Sequence, residues 1–247
     1  IPSMYNALLA LKDATPDDFR SLRYTVSGGE PLPKAVLDRF RDRFGVTINE
    51  GYGLTETSPV TNWCRPHEFR LGSVGRPIPE VDQRIIDPNT GRALPPLHDG
   101  EVWIKGPNVM QGYYHLPEET ARALTPDGFL RTGDIGRFDE DGHLHITGRL
   151  KEMLIVGGEN VFPREIEEVI ERHPTVQACG VVERHDPMRG ELPLAFIELR
   201  EGQTFDRQSL LTHCRASLAG YKVPTDIRVL DALPRNPTGK VMRRELK

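Results

Sequence analysis

The chain has 247 residues, enough for one large domain or two modest ones, and carries 32 Lys and Arg against 36 Asp and Glu. The formal net charge of −4 argues against a nucleic-acid binder held by bulk positive charge. No apolar run approaches the roughly 18 residues that a transmembrane segment needs, and three scattered cysteines indicate reduced thiols in a cytoplasmic protein.

Residues 1–70 predict a βαβ-like unit that follows an opening helix near Ser3. A strand at Leu22–Val26 leads through a turn at Ser27–Glu30 into an amphipathic helix, and a second strand-like run ends near Gly53. The helix is predicted because apolar residues recur at every fourth position: Val36, Phe40 and Phe44.

Residues 71–147 predict a small β-barrel or β-sandwich, because short apolar runs are separated by Pro-Asn, Asp-Gly and Gly-Pro turns. A tight turn is predicted at Thr132-Gly133-Asp134. The predicted strands are Arg84–Ile86, Glu101–Ile104 and His143–Ile146.

Residues 150–247 predict a compact α+β domain of about a hundred residues. Pro163 opens one helix, Asp206 is the predicted N-cap of another, and Gly220 is predicted to end that second helix. The predicted strands are Cys179–Val182 and Leu194–Leu199.

Some of the polar residues are suited to a nucleotide. The Tyr52 ring can stack on a purine, and the Thr55 hydroxyl can meet a phosphate oxygen. The Glu56 carboxylate can hold Mg²⁺, a hard cation that shares oxygen ligands with phosphates. Gly28 and Gly29 let the backbone approach a ring or phosphate closely. Taken alone, each of these two motifs is better explained by an ordinary turn or a surface Thr-Glu pair. The remaining aromatics are interpreted as core or rim residues: Trp63, Trp103, Tyr113 and Tyr114.

Asp134 and Arg149 carry complementary chemistry for a ribose phosphate. A carboxylate held at a turn can accept both ribose hydroxyls, and a guanidinium can reach ribose or phosphate through paired hydrogen bonds. The alternatives are an ordinary Asx turn for Asp134 and a surface position for Arg149.

Lys240 stands in the loop Pro237-Thr238-Gly239-Lys240. This loop is not a Walker A motif, because the earlier glycine is missing and Val241 replaces Ser or Thr. The functional interpretation is a lysine placed on a reacting phosphate or carboxylate. The alternative is a solvated basic tail, since Arg243 and Arg244 follow.

In this order, the motifs resemble those of the adenylate-forming superfamily of AMP-binding enzymes, which contains acyl-CoA synthetases, firefly luciferase and peptide-synthetase adenylation domains. The resemblance covers essentially the whole chain but only the C-terminal half or so of such an enzyme. The motifs are SGGEPL, GYGLTET, GEVWIKGPNVMQGYY, RTGD, GRLKEMLIVGGENVFPREIE and LPRNPTGK.

The resemblance implies an α/β plus α+β fold. Residues 1–149 would be the C-terminal part of the large AMP-binding domain, with a partial βαβ segment at 1–70 and a small β-barrel at 71–148. Residues 150–247 would be a small, mobile α+β C-terminal domain.

The resemblance also implies a role for each site residue. Thr55 would contact the α-phosphate, Glu56 would ligate Mg²⁺, and Lys240 would stabilise the adenylation transition state. Lys151 would be the hinge about which the small domain rotates. The implied binding residues are Gly28, Gly29, Glu30, Tyr52 and Gly53 at the adenine, Asp134 and Arg149 at the ribose, and Gly157 and Gly158 near the pantetheine of coenzyme A.

The implied activity is that of an ATP-dependent, AMP-forming acid–CoA ligase. A carboxylic acid would react with ATP to give an acyl-adenylate, and the acyl group would pass to coenzyme A. The segments GRLKEMLIVGGENVFPREIE, SLAGYKVP and LPRNPTGKVMRREL are most similar to fatty-acid–CoA ligases, which favours a medium- or long-chain fatty acid. The alternatives are an aryl-acid (4-coumarate-like) CoA ligase, a ligase that loads a carrier protein, and a non-catalytic nucleotide- or CoA-binding module. A homodimer is one option for the assembly.

The sequence departs from the family pattern at one point. A Ser/Thr/Gly-rich phosphate loop ending in Lys should precede the adenine motif, and nothing here matches it. The chain also opens at Ile1, without an initiator methionine. We therefore expect a fragment that does not adenylate acids on its own.

Overall fold

The computed structural model describes residues 1–187, 190–237 and 239–246. The chain divides into two compact units, Ile1–Thr147 and Gly148–Lys247. The α-helices are α1 (Pro2–Ala10), α2 (Lys34–Phe44), α3 (Pro117–Ala123), α4 (Pro163–Glu171) and α5 (Arg207–Ser217). The strands of the first unit are β1 (Val26–Ser27), β2 (Asn49–Gly53), β3 (Val60–Trp63), β4 (Arg76–Pro77), β5 (Asp82–Ile86), β6 (Gly100–Lys105), β7 (Leu130–Phe138) and β8 (Leu144–Arg149), the last of which runs two residues into the second unit. The strands of the second unit are β9 (Leu154–Val156), β10 (Glu159–Val161), β11 (Val176–Asp186), β12 (Gly190–Leu199) and β13 (Asp226–Val229).

The first sheet of unit one has the order β1-β2-β3-β4, and its parallel β1–β2 pair is joined through α2. This confirms the βαβ-like unit and the buried stripe of α2, in which Phe40 is fully buried. Gly45 ends α2 in a left-handed conformation with φ 68°. The predicted strand at Leu22–Val26 is shorter, because only Val26 and Ser27 pair with β2, while Leu22 is half-exposed.

The second sheet has the order β5-β6-β7-β8 and packs an apolar cluster that includes Val102, Ile104 and Leu144. It is an open sheet: within residues 71–148, all of which are described, β5 and β8 are edge strands. The segment predicted as a small β-barrel or β-sandwich thus forms an open four-stranded sheet, while the mixed α/β and α+β class is confirmed. The strand β7 was missing from the prediction, because its Arg-Thr-Gly-Asp segment has no apolar alternation.

The second unit is an α+β layer structure. Its sheet has the order β10-β9-β12-β11. A fifth strand, β13, pairs in parallel with Leu194–Ile197 of β12. Helices α4 and α5 cover one face, where Ile166, Ile170 and Leu210 are buried. The Asp206 N-cap is confirmed, since its carboxylate accepts from the backbone N–H groups of Gln208 and Ser209.

Gly220 does not end α5. The helix ends at Ser217, and its C-cap Leu218 is extended at φ −117°, so no left-handed residue is required there. Gly220 begins a separate 3₁₀ turn, Gly220–Lys222. The three cysteines are free and buried, as predicted. Among the described residues, no helix has the length and apolar character needed to cross a bilayer.

Candidate functional site

Two residues 82 positions apart meet in the first unit. The Tyr52 hydroxyl on β2 donates to Asp134 Oδ2 on β7 at 2.6 Å. Asp134 is only 3% exposed, and a buried carboxylate is costly unless it is hydrogen-bonded or paired. The tyrosine ring also packs against the apolar cluster of the second sheet, so Tyr52 bridges the two sheets of the unit.

Asp134 lies in a bulge of β7. Arg131 pairs with Trp103 and Ile135 pairs with Glu101, so three residues of β7 stand opposite Val102 alone. The predicted tight turn at Thr132-Gly133-Asp134 is therefore wrong. A bulge inserts extra residues into a strand and re-aims a side chain without reversing the chain.

Hydrogen bonds hold this bulge in a single shape. The Thr132 hydroxyl donates to the Val102 carbonyl at 2.7 Å and accepts from the Asp134 backbone N–H at 3.0 Å. Gly133, at φ 66°, donates its N–H to Glu101 Oε1 at 3.0 Å. Trp103 Nε1 holds the other oxygen of Glu101 at 2.7 Å. The orientation of the Asp134 carboxylate is thus fixed by its neighbours in β6 and β7 as well as by Tyr52.

Two of the predicted site glycines of the first unit, Gly28 and Gly53, stand where the backbone approaches another chain segment closely. A Cβ on Gly53 would lie 1.7 Å from the Pro59 carbonyl oxygen, which no side chain can do. A Cβ on Gly28 would lie 3.2 Å from the carbonyl oxygen of Gly51 on β2. Gly29 has φ 79°, and the half-buried Glu30 follows it. Chain packing therefore accounts for Gly53, whereas Gly29 is needed for its conformation.

Thr55 and Glu56 lie on a 3₁₀ turn, Thr55–Thr57, directly after β2. Glu56 Oε1 accepts from the Tyr113 hydroxyl at 2.9 Å, and the Glu56 carbonyl accepts from the Met110 N–H at 2.8 Å. Burial, followed by the bond to Glu56, raises the pKa of Tyr113, so this hydroxyl stays a donor. Thr55 is exposed at the start of the turn.

The donor set around Glu56 fits a metal that is shared with a substrate. The described residues contain no cluster of three or more His, Cys, Asp and Glu side chains that could hold an ion. Mg²⁺ is commonly held by one or two carboxylates together with substrate phosphates, and Glu56 supplies such a carboxylate beside the Thr55 hydroxyl.

In the second unit, Arg149 ends β8 and is the N-cap of the 3₁₀ turn Leu150–Glu152. Lys151 is exposed in the middle of this turn. The next residue, Glu152, accepts a hydrogen bond from Arg243. The predicted hinge residue, Lys151, is therefore followed by a side chain, Glu152, that is hydrogen-bonded to Arg243.

Gly157 and Gly158 form the two-residue turn of the β9–β10 hairpin, with φ 60° and 90°. Two left-handed residues are what such a turn requires, which explains both glycines. A cleft of about 450 Å³ opens beside this hairpin, and its walls include Val156, Leu192 and Tyr221.

Lys240 ends a tight turn that begins at Asn236. The Asn236 N–H donates to the Lys240 carbonyl, and the Lys240 N–H donates to Asn236 Oδ1, each at 2.9 Å. Gly239 sits inside the turn at φ 94°. Thr238 of the predicted loop lies outside the described residues. The Lys240 side chain is exposed on a backbone that is held by hydrogen bonds.

The structure thus brings Tyr52 and Asp134 into contact and places Thr55 and Glu56 on the turn after β2. It places the predicted residues of the second unit on three separate turns. The AMP-binding enzyme family profile matches residues 1–114, and the profile of the AMP-binding enzyme C-terminal domain matches residues 165–240.

The chain belongs to the superfamily of adenylate-forming, AMP-binding enzymes.

Sequence relatives agree with this AMP-binding assignment. A long-chain-fatty-acid–CoA ligase of Yersinia pestis is 41% identical over 100% of the chain, which covers 44% of that relative. A feruloyl-CoA synthase of Amycolatopsis is 39% identical over 100% of the chain, covering 50% of that protein. The chain therefore spans about half the length of the curated relatives it matches, and it corresponds to the C-terminal half of such AMP-binding enzymes.

Solved structures agree as well. ATP-bound MatB of Rhodopseudomonas palustris superposes with a TM-score of 0.91 at 36% identity, over 99% of the chain and 49% of MatB. The anthranilate CoA ligase AuaEII in complex with anthranoyl-AMP gives 0.87 at 35% identity, over 99% of the chain and 48% of that enzyme. The fold of this AMP-binding chain is thus found in enzymes whose structures hold ATP or an acyl-adenylate.

Two polar residues of this AMP-binding chain were not singled out by the sequence. Tyr113 was interpreted as a core or rim aromatic, yet its hydroxyl holds Glu56. Arg243 entered the prediction only as part of the alternative, a solvated basic tail, yet it is mostly buried between carboxylates. The one sequence signal is that Arg243 stands three residues before the apolar Leu246, a spacing that Arg244 does not share.

Proposed function

We propose that this chain is part of an ATP-dependent, AMP-forming acid–CoA ligase. The observation that supports the proposal most directly is the buried Asp134 carboxylate, which is held by Tyr52 on the strand that leads into the turn of Thr55 and Glu56. This group of acceptors suits ribose hydroxyls and a phosphate-bound cation, and it belongs to the half of the superfamily that this chain represents.

The proposed first step joins two anions. A substrate carboxylate oxygen attacks the α-phosphorus of ATP, the bond to the bridging oxygen breaks, and pyrophosphate leaves. Lys240 is placed on the developing negative charge, a contribution worth roughly 3–4 kcal/mol by analogy with oxyanion donors. Asp134 and Arg149 orient the ribose, and Thr55 contacts the α-phosphate. When bound, Mg²⁺ on Glu56 neutralises phosphate charge.

The proposed second step needs a different arrangement. The thiolate of coenzyme A attacks the acyl carbonyl, and AMP leaves with the electrons of the acyl–oxygen bond. Lys151 is the proposed hinge for the change between steps, and Gly157 and Gly158 form the proposed edge of the pantetheine path.

A medium- or long-chain fatty acid is the proposed substrate. The identity of 41% to a long-chain-fatty-acid–CoA ligase supports it. The second candidate is an aryl acid, supported by 39% identity to a feruloyl-CoA synthase and 40% to a 4-coumarate–CoA ligase-like protein of Oryza sativa. The two classes differ by only a few per cent in identity, so an assay must separate them.

The test is acid-dependent ATP–pyrophosphate exchange by the enzyme that carries this chain, comparing octanoate and palmitate with ferulate and 4-coumarate. We expect exchange with the fatty acids. Exchange with the aryl acids alone would select the second candidate, and no exchange with any acid would overturn the ligase proposal in favour of a non-catalytic binding module. Coenzyme A and a holo-carrier protein, offered in turn, would identify the thiol acceptor.

Lys240→Ala should lower the exchange rate by about 100- to 1,000-fold while sparing thioester formation from preformed acyl-adenylate. Arg244→Ala is the matched control, because it removes an exposed basic side chain four residues away. Equal loss in both half-reactions would refute the proposed role of Lys240. Inactivity of the 247-residue chain by itself, a cytoplasmic location and a homodimer stay predictions.

A further inference from the structure

Arg243 has an unusually complete set of partners for a residue so near the end of the described chain. Its Nε donates to Glu167 Oε1 at 2.7 Å, and a terminal nitrogen donates to Glu167 Oε2 at 2.5 Å. Its other terminal nitrogen donates to Glu152. One guanidinium therefore holds two carboxylates that come from different elements, α4 and the turn Leu150–Glu152.

Glu167 is a fixed anchor for this arginine. It is only 8% exposed, and its Oε1 also accepts from the Val181 N–H of β11 at 2.8 Å. A bidentate pair between arginine and carboxylate fixes distance and angle together, which a lysine ammonium cannot do. The position of Arg243 is therefore set by the core of the second unit.

Hydrogen bonds hold the chain both before and after the turn that carries Lys240. Before the turn, Arg235 donates to Glu198 Oε2 on β12 at 3.0 Å. After the turn, the Met242 N–H donates to the Pro234 carbonyl at 2.8 Å, and Arg243 and the buried Leu246 follow. After Lys240, Arg243 thus supplies the side-chain attachment to α4, in addition to the Met242 backbone bond.

The same guanidinium reaches the proposed hinge turn. Glu152 directly follows Lys151, and the turn is closed by the Met153 N–H, which donates to the Leu150 carbonyl at 3.3 Å. We propose that Arg243 is a positioning residue that couples the Leu150–Glu152 turn to the turn of Lys240, so that the lysine is held in one place relative to the hinge. This inference rests on the proposed function for its catalytic consequence.

The first test is physical and does not depend on activity. Arg243→Lys keeps the positive charge beside Glu167. A lysine ammonium cannot make the bidentate pair with Glu167 while it also donates to Glu152. Hydrogen exchange should therefore become at least about tenfold faster at the Met242 and Met153 amides together, with little change in the core strands. Arg244→Lys, made at an exposed neighbour, should change neither amide. Unchanged exchange in Arg243→Lys, or a change at only one of the two turns, would overturn the coupling.

The second test uses the enzyme that carries this chain. Arg243→Lys and Glu152→Gln should each lower kcat of the adenylation half-reaction by about tenfold, with the KM for ATP changed by less than about twofold. The loss should disappear in a Lys240→Ala background, because a residue that acts through Lys240 has nothing left to position.

The outcomes separate the two proposals. Additive losses in the double variant would overturn the positioning role of Arg243. An unaffected adenylation rate in Lys240→Ala would instead overturn the proposed role of Lys240, while the exchange measurement would still decide whether Arg243 couples the two turns.

Discussion

The Tyr52 hydroxyl donates to the Asp134 carboxylate at 2.6 Å, and this bond joins β2 of one sheet to the bulge of β7 in the other. The tyrosine ring also belongs to the apolar packing of the second sheet. One residue therefore supplies both a hydrogen bond to a buried acid and apolar contact, and these two contributions can be separated by removing a single oxygen.

Tyr52→Phe should lower the free energy of unfolding by about 1–3 kcal/mol, because a buried carboxylate loses a donor while the ring stays in place. AMP binding should weaken several-fold, since Asp134 loses one of the groups that orient it. Chemical denaturation and an AMP titration measure the two effects. Tyr114→Phe, at a side chain that is 87% exposed, is the matched control and should change neither. Equal effects at the two tyrosines would contradict the prediction.

Gly53→Ala should destabilise the chain by more than about 3 kcal/mol, because the new Cβ would lie 1.7 Å from the Pro59 carbonyl oxygen and the backbone would have to move. Gly157→Ala is the comparison. Its Cβ meets nothing within 4 Å, and only the left-handed φ of 60° opposes it, at a cost of about 1 kcal/mol. Urea denaturation of both variants measures which one loses more unfolding free energy. A larger loss in Gly157→Ala than in Gly53→Ala would show that steric contact does not determine the destabilisation.

Tyr113→Phe should raise the Mg²⁺ concentration required for ATP–pyrophosphate exchange by about tenfold, because hydrogen-bond partners of a metal-binding carboxylate orient it. The variant keeps the ring and removes only the donor to Glu56. Tyr114→Phe, the next residue, serves again as the control. An unchanged Mg²⁺ requirement in Tyr113→Phe would show that the Tyr113 hydroxyl does not contribute to Mg²⁺ binding.

Glu171 gives the second unit a stability that depends on pH. Burial, and then the charge of Glu167, raises the pKa of Glu171 from 4.5 to about 7, opposed by the hydrogen bond from the Cys179 N–H. The folded chain therefore binds this proton more tightly than the unfolded chain does. The stabilisation is complete below pH 4.5 and is lost as the pH rises through 7, by up to about 3 kcal/mol.

Glu171→Gln should therefore match the parent chain near pH 4.5 and exceed it near pH 8, as measured by chemical denaturation at both pH values. Groups whose pKa is lowered in the folded chain act in the opposite direction. For example, burial lowers the pKa of His173, and hydrogen bonds from the His143 N–H and from Arg70 outweigh burial and lower the pKa of Asp139. Both groups remain in Glu171→Gln, so their contributions cancel when the unfolding free energies of the variant and the parent chain are subtracted. Glu201→Gln, at an exposed position outside this helix, should show no such crossover.

The sequence predicted those elements whose pattern is set by burial. The apolar spacing of α2 and the Asp206 cap of α5 were readable because period and capping chemistry are local properties. The bulge at Thr132–Asp134 was not readable, since it depends on which residues of β6 stand opposite. Nor could charge distinguish the buried Arg243 from the exposed Arg244, because the difference comes from the distant Glu167.

For the site as well, features set by local sequence could be predicted, and contacts between distant residues could not. Residue types suited to nucleotide chemistry were recognisable in their motifs, and Tyr52 and Asp134 do meet in the structure. The supporting hydroxyl of Tyr113 was missed, because its partner Glu56 lies 57 residues earlier and no local rule joins them.

The three buried thiols have a practical consequence. Burial raises the pKa of Cys64, Cys179 and Cys214, which keeps them protonated, and maleimide reagents attack the thiolate. A single cysteine introduced at an exposed position such as Tyr114 would therefore be labelled selectively, with the native cysteines left in place. A pair of dyes, one at Tyr114 and one at the exposed Arg244, could then follow turnover in single molecules without a change at the proposed hinge.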